Sequence, residues 1–244
     1  MRIALLQIRL DPKSRAANLQ AVTRAIEAAA GAPDAPDLIV LPGGCDNGGA
    51  GASRGCSRSV LEVTRETLAW LAREWGVFLA AGVHAHRPGA WTPCAVLLDP
   101  DGDVVVSSIH RDEEDDGQAG DPIAPWPCPV ADLAVLEPTV SAPLTECVSI
   151  RDRITLLALP VAGAVTARQR RVADTNISAL RSGCLRTRNV YWAVVTECNK
   201  AVASVGEHGC FTFLQSPDGT ILAAADGPEE SIVHVDLPEV EAGS

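Results

Sequence analysis

Positive charge is scarce in this chain. Twenty Lys and Arg face thirty-one Asp and Glu, for a net charge of −11. A surface of that sign repels nucleic-acid phosphates, so a nucleic-acid partner is excluded. Aromatic residues make up only 4% of the chain, and there is one Met. Long apolar runs are missing too. The first, Ile3 to Ile8, is too short for a signal-peptide core or a membrane span. No membrane partner is expected, and the reading is a cytoplasmic protein. Eight cysteines are present, yet none forms a Cys-x-x-Cys pair, which argues against a structural zinc site. Without a secretion signal the thiols read as reduced, and most of them as small buried hydrophobes.

What is present is an ordinary globular composition, 47% hydrophobic and 21% charged over 244 residues. No linker-like stretch divides the chain, so residues 1–244 read as a single domain.

Periodicity gives alternating strands and helices. Strands are predicted over residues 2–8, 38–41, 77–84, 93–98, 103–109, 133–136, 154–159, 190–198, 211–215, 220–225 and 231–236. Helices are predicted over 15–30, 59–75 and 167–189, with a weaker helical pattern over 138–152. Two Pro-Asp-Gly turns, at Pro100-Asp101-Gly102 and Pro217-Asp218-Gly219, close hairpins at comparable places in each half. Two stacked α/β layers follow from that pattern: a four-layer αββα sandwich.

The organising stretch is Asp37-Leu38-Ile39-Val40-Leu41-Pro42-Gly43. It reads as a buried strand opening into a glycine-rich loop over residues 42–55. Ligands and catalytic groups gather beyond the carboxyl ends of such strands. The loop lacks the Gly-Lys-Ser/Thr of a phosphate-binding loop and reads as a mobile surface loop.

With Arg2-Ile3-Ala4-Leu5-Leu6-Gln7, Asn18-Leu19, Ala95 to Gly102, Ile109-His110, Leu156-Leu157-Ala158-Leu159-Pro160, Arg186 to Trp192 and Ser216 to Gly219 in the same order, the chain resembles the nitrilase (carbon–nitrogen hydrolase) superfamily. That resemblance implies the αββα fold, a dimer paired through helices flanking the sheets, and hydrolysis of amides, nitriles or related C–N bonds. It also implies three catalytic groups: a cysteine nucleophile, a glutamate that shuttles protons and a lysine that stabilises the oxyanion. The glutamate position, after the Leu-Pro of the second strand, is Gly43. The lysine position, ahead of Ile109-His110, is Ser108. The cysteine position falls on Glu137, and neither neighbour, Leu136 or Pro138, is a nucleophile.

A nitrilase-type chain without its Glu-Lys-Cys triad is a pseudoenzyme. Its expected role is to bind a small amine or amide-like molecule, or to serve as a partner or structural subunit. The alternative is an active amidase-like hydrolase with a relocated nucleophile. Cys45, two residues beyond Gly43, is the first candidate for it. Glu113, beside Glu114 in the acidic loop, is a candidate second carboxylate, against the simpler reading of residues 112–116 as a solvated charge run. His110 reads as a packed structural histidine. His84 and His86 share one strand face but lack a third ligand, so no metal is expected, and no cofactor motif is present.

Overall fold

The computed structural model describes residues 1–11, 13–45, 58–87, 90–109, 123–136, 155–161, 190–196, 198, 212–227 and 229–237. Eleven strands and two helices are placed among them. The predicted helices over 138–152 and 167–189 lie outside the described residues, as do His110, Glu113, Glu114, Glu137 and Cys147.

The first half runs β1 (Arg2–Gln7), α1 (Arg15–Ala30), β2 (Leu38–Val40), α2 (Arg58–Trp75), β3 (Phe78–Arg87), β4 (Ala90–Leu98) and β5 (Val104–Ile109). The second supplies β6 (Asp132–Val135), β7 (Thr155–Val161), β8 (Val190–Thr196), β9 (Phe213–Gln215) and β10 (Ile221–Ala224), and β11 (Ser231–Asp236) follows. Two sheets form, ordered β11-β1-β2-β3-β4-β5 and β10-β9-β8-β7-β6. In each, three parallel strands lead into an antiparallel hairpin. The halves are thus built alike, and β11 returns to pair antiparallel with β1.

The apolar alternation of each strand decides which layer it feeds. Ile3, Leu5, Leu38, Val40 and Ala80 of the first sheet meet Leu133, Val135, Leu156, Ala158 and Ala193 of the second in one inter-sheet core. Their neighbours Ala4, Leu6, Ile39, Leu41 and Leu79 point the other way, onto Val22 and Ile26 of α1 and Leu68 and Leu71 of α2. The outer face of the second sheet, with Trp192 and Phe213, is also buried.

Local chemistry sets the boundaries. Ser14 caps α1, its hydroxyl accepting from the Ala17 amide at 3.3 Å. Asn18, buried in the first turn, accepts from Asp11 N at 2.6 Å and donates to Asp11 O at 2.9 Å, which ties β1's exit to the helix. In the β4–β5 turn Gly102 has φ +79°, and a Cβ there would lie 2.5 Å from Ala69 O on α2. Only glycine lets this turn lie against the helix.

The structure corrects two expectations. Strands β3 and β4 run further than predicted, to Arg87 and from Ala90, through Pro93. Pro93 pairs with His84 one residue beyond the last β4–β5 pair, Cys94 with Ile109. Its missing N–H therefore breaks no rung on the β5 side. The second correction concerns the loop after β2, read as mobile surface. Its first four residues, Pro42, Gly43, Gly44 and Cys45, are buried and held by backbone hydrogen bonds.

Candidate functional site

The site is built where β2 ends. Leu41 N donates to Ala80 O at 2.8 Å, continuing the parallel ladder with β3. In an unbroken ladder the next amide to reach Gly82 O would be that of Gly43. Cys45 N takes that place instead, at 3.1 Å, while Gly82 N donates to Pro42 O at 3.4 Å. Gly43 and Gly44 are looped out between these two bonds, and Gly44 has φ +72°.

The loop turns inward. Ala80 belongs to the inter-sheet core, so Gly82, two residues on, faces the same way. A Cβ built on Gly82 would lie 2.4 Å from Gly43 Cα and 3.3 Å from Pro160 Cβ on β7. The Gly43 backbone therefore fills the space where a side chain of Gly82 would stand, against the opposite sheet. Pro42 and Pro160 end matching Leu-Pro segments of the two halves, and the fold brings both to this spot.

Ser108 lies in the same row. Gly82 pairs with Ala95, and Ala95 with Ser108. At roughly 4.8 Å per strand, Ser108 stands about 10 Å from Gly82 across the sheet. It is buried, 6% exposed. The two sequence-predicted positions Gly43 and Ser108 thus come to the same end of the inter-sheet layer. Neither carries a charge, and neither do Gly82, Ala95 or Pro160. Leu136, the last described residue before Glu137, donates its amide to Ala158 O at 3.0 Å.

Cys45 goes elsewhere. Its thiol donates to Pro42 O at 2.8 Å, and the residue is 1% exposed. It packs with Ile39, Leu41 and Ala81, on the helix side of the first sheet and away from the inter-sheet face. Cys94 and Cys198 are likewise buried, and Cys128 half-buried, as expected of small hydrophobes. His84 is buried, and no group of three metal-ligating side chains occurs among the described residues.

Sequence reasoning missed Gly82 and the approach of Pro160 to it. The signal for the first was present: an isolated glycine inside a strand, Ala80-Ala81-Gly82-Val83, marks a bulge or a close backbone approach.

Among solved structures, the chain is similar to an amidase from Nesterenkonia sp. AN1, of the nitrilase superfamily. A cysteine-to-serine variant of that amidase superposes with TM-score 0.71 at 22% identity, over 98% of this chain and 92% of that one. The fold is that of the nitrilase-superfamily amidases. A glutamate-to-glutamine variant, showing the result of Michael addition of acrylamide at its active-site cysteine, gives 0.70 at 21% identity over 98% and 93%. A cysteine-to-alanine variant in complex with butyramide gives 0.66 at 23% over 98% and 91%. No family model and no curated protein sequence matches the chain. The nitrilase fold predicted from the ordered segments is therefore present, at identities that speak for fold alone. No helix among the described residues is long and apolar enough to cross a membrane.

Proposed function

We propose that this chain is a nitrilase-superfamily homologue that does not carry out covalent amide hydrolysis, and that its inter-sheet site binds a small amine or amide-like molecule. One observation carries the reading: backbone packs on backbone, Gly43 on Gly82, where the resemblance calls for a proton-shuttling carboxylate. Ser108, in the same row, brings a hydroxyl where the resemblance calls for an ammonium. Glu137 follows Leu136 in sequence and offers a carboxylate in place of a thiol.

Each loss is costly alone. A missing oxyanion donor removes roughly 2.7–4 kcal/mol of transition-state stabilisation. A missing general base costs roughly 10²–10⁴ in rate. Without the nucleophile there is no covalent intermediate to stabilise. A carboxylate at that place would repel a developing oxyanion and attract a cationic or N–H-bearing ligand instead.

Relocation to Cys45 is disfavoured by geometry. A nucleophile must reach its substrate, and this thiol is buried on the other side of the sheet.

The test combines turnover and binding. Ammonia release is followed over a panel of amides, nitriles and carbamoyl compounds at high protein concentration, alongside thermal shifts with small amines and amides. The reading predicts no turnover, and a ligand-induced rise in Tm that Glu137→Gln abolishes. Sustained turnover that disappears in Glu137→Ala would overturn it, as would thermal shifts that are equal in Glu137→Gln and the parent.

A further inference from the structure

We propose that Gly43 and Gly44 form a plug that closes the inter-sheet site from within, and that the absent side chain of Gly82 is what admits it. Gly82 holds both ends of the plug, donating to Pro42 O at 3.4 Å and accepting from Cys45 N at 3.1 Å, and the Cys45 thiol links the same ends through Pro42 O at 2.8 Å. Between those bonds Gly43 Cα occupies the Cβ position of Gly82, and Pro160 Cβ closes the far side. The ladder beneath is firmer, with Leu41 N to Ala80 O at 2.8 Å between residues of the apolar core.

A two-residue bulge of glycines has no side chains to anchor it, and glycine gains the most backbone freedom on release. Withdrawal of the pair breaks the two hydrogen bonds to Gly82 and leaves the ladder from Leu41 downward intact. It clears the space bounded by Gly82, Ala95, Ser108 and Pro160. On the reading of that space as a binding site, the closed form described here is autoinhibited, and a ligand enters by displacing Gly43. Cys45 reports the motion, because its amide and its thiol both bond to the plug's frame.

Two measurements test this. In the unmodified protein, amide hydrogen exchange at Cys45 and Gly82 should be at least about tenfold faster than at Leu41, through a local opening. Equal protection of the three amides would overturn the plug. Second, Gly82→Ala, whose methyl cannot coexist with Gly43 in place, should speed iodoacetamide labelling of Cys45. The expected rise is about tenfold or more, read by peptide mass mapping, with Cys94 and Cys198 as buried internal standards. An unchanged Cys45 rate, or an equal rise at all three cysteines, would overturn it. Ammonia release accompanied by selective exposure of Cys45 would defeat the non-catalytic reading and leave the plug standing.

Discussion

Single residues in this chain show how one missing or added group settles a local structure. At Gly82 the absence of a Cβ allows a neighbouring backbone into the inter-sheet space. At Asn18 the opposite holds: one buried carboxamide satisfies both the N–H and the C=O of Asp11. Asn18→Ala leaves those two groups unpaired beside the core, and each lost bond of this kind costs on the order of 1 kcal/mol or more. Urea denaturation should show a loss of about 1–3 kcal/mol, with ligand-induced thermal shifts unaffected. A change below about 0.5 kcal/mol, the scatter of neutral surface substitutions, would contradict the assignment. Asn18 stood out in the sequence only through the family resemblance. Its physical role, joining β1's exit to α1, becomes visible when Asp11 is seen folded back on it.

At the scale of elements, the two Pro-Asp-Gly hairpins are held by different carboxylates. Asp99 leads the first turn and accepts from the amides of Asp101 at 3.0 Å and Asp103 at 2.9 Å. In the second turn the acceptor is Asp218 itself, bonded by the Ser216 hydroxyl and by Thr220 N at 3.0 Å. Those bonds, Ser216 first and Thr220 next, hold the Asp218 carboxyl down to about 2, against an ordinary 3.8. A carboxylate depressed in the folded state stabilises it fully above the unfolded value. That contribution fades below about pH 4 and is lost as pH falls through about 2. The Tm difference between the parent and Asp218→Asn should therefore shrink as pH is lowered from 4 to 2. A difference that stays constant across that window would contradict the assignment. The hairpins, like α1 and most strands, were legible because their signals are local: turn residues and the periodicity of apolar side chains. β4 was read short because Pro93 reads as a strand's first residue. That it sits past the end of β5 is a fact of pairing, which sequence does not display. The inward course of Pro42 to Cys45 was hidden for the same reason. Glycines read as loop residues until Gly82, some forty positions away in sequence, is seen to hold them.

The whole molecule repeats one plan twice and joins the copies face to face. Three parallel strands and a hairpin make each sheet, and Gly82 lies against both Pro42, through the proline's carbonyl, and Pro160 of the opposite sheet. The fold was readable from ordered, individually weak segments, because a sandwich of this kind needs each strand to be apolar toward its own layer. The site was readable only in its positions. Gly43 and Ser108 do gather at one end of the inter-sheet layer, whereas the use of that place depends on what fills it. Here it is filled by glycine backbone, and the Cys45 thiol is turned to the helices. The central proposal is that no group at this place attacks an acyl carbon. The most direct measurement is a rapid-mixing assay with p-nitrophenyl butyrate, followed by intact-mass spectrometry of the acid-quenched protein. The account predicts no burst of p-nitrophenolate and an unmodified mass; a burst of one equivalent per chain, with a butyryl group on a single side chain, would contradict it.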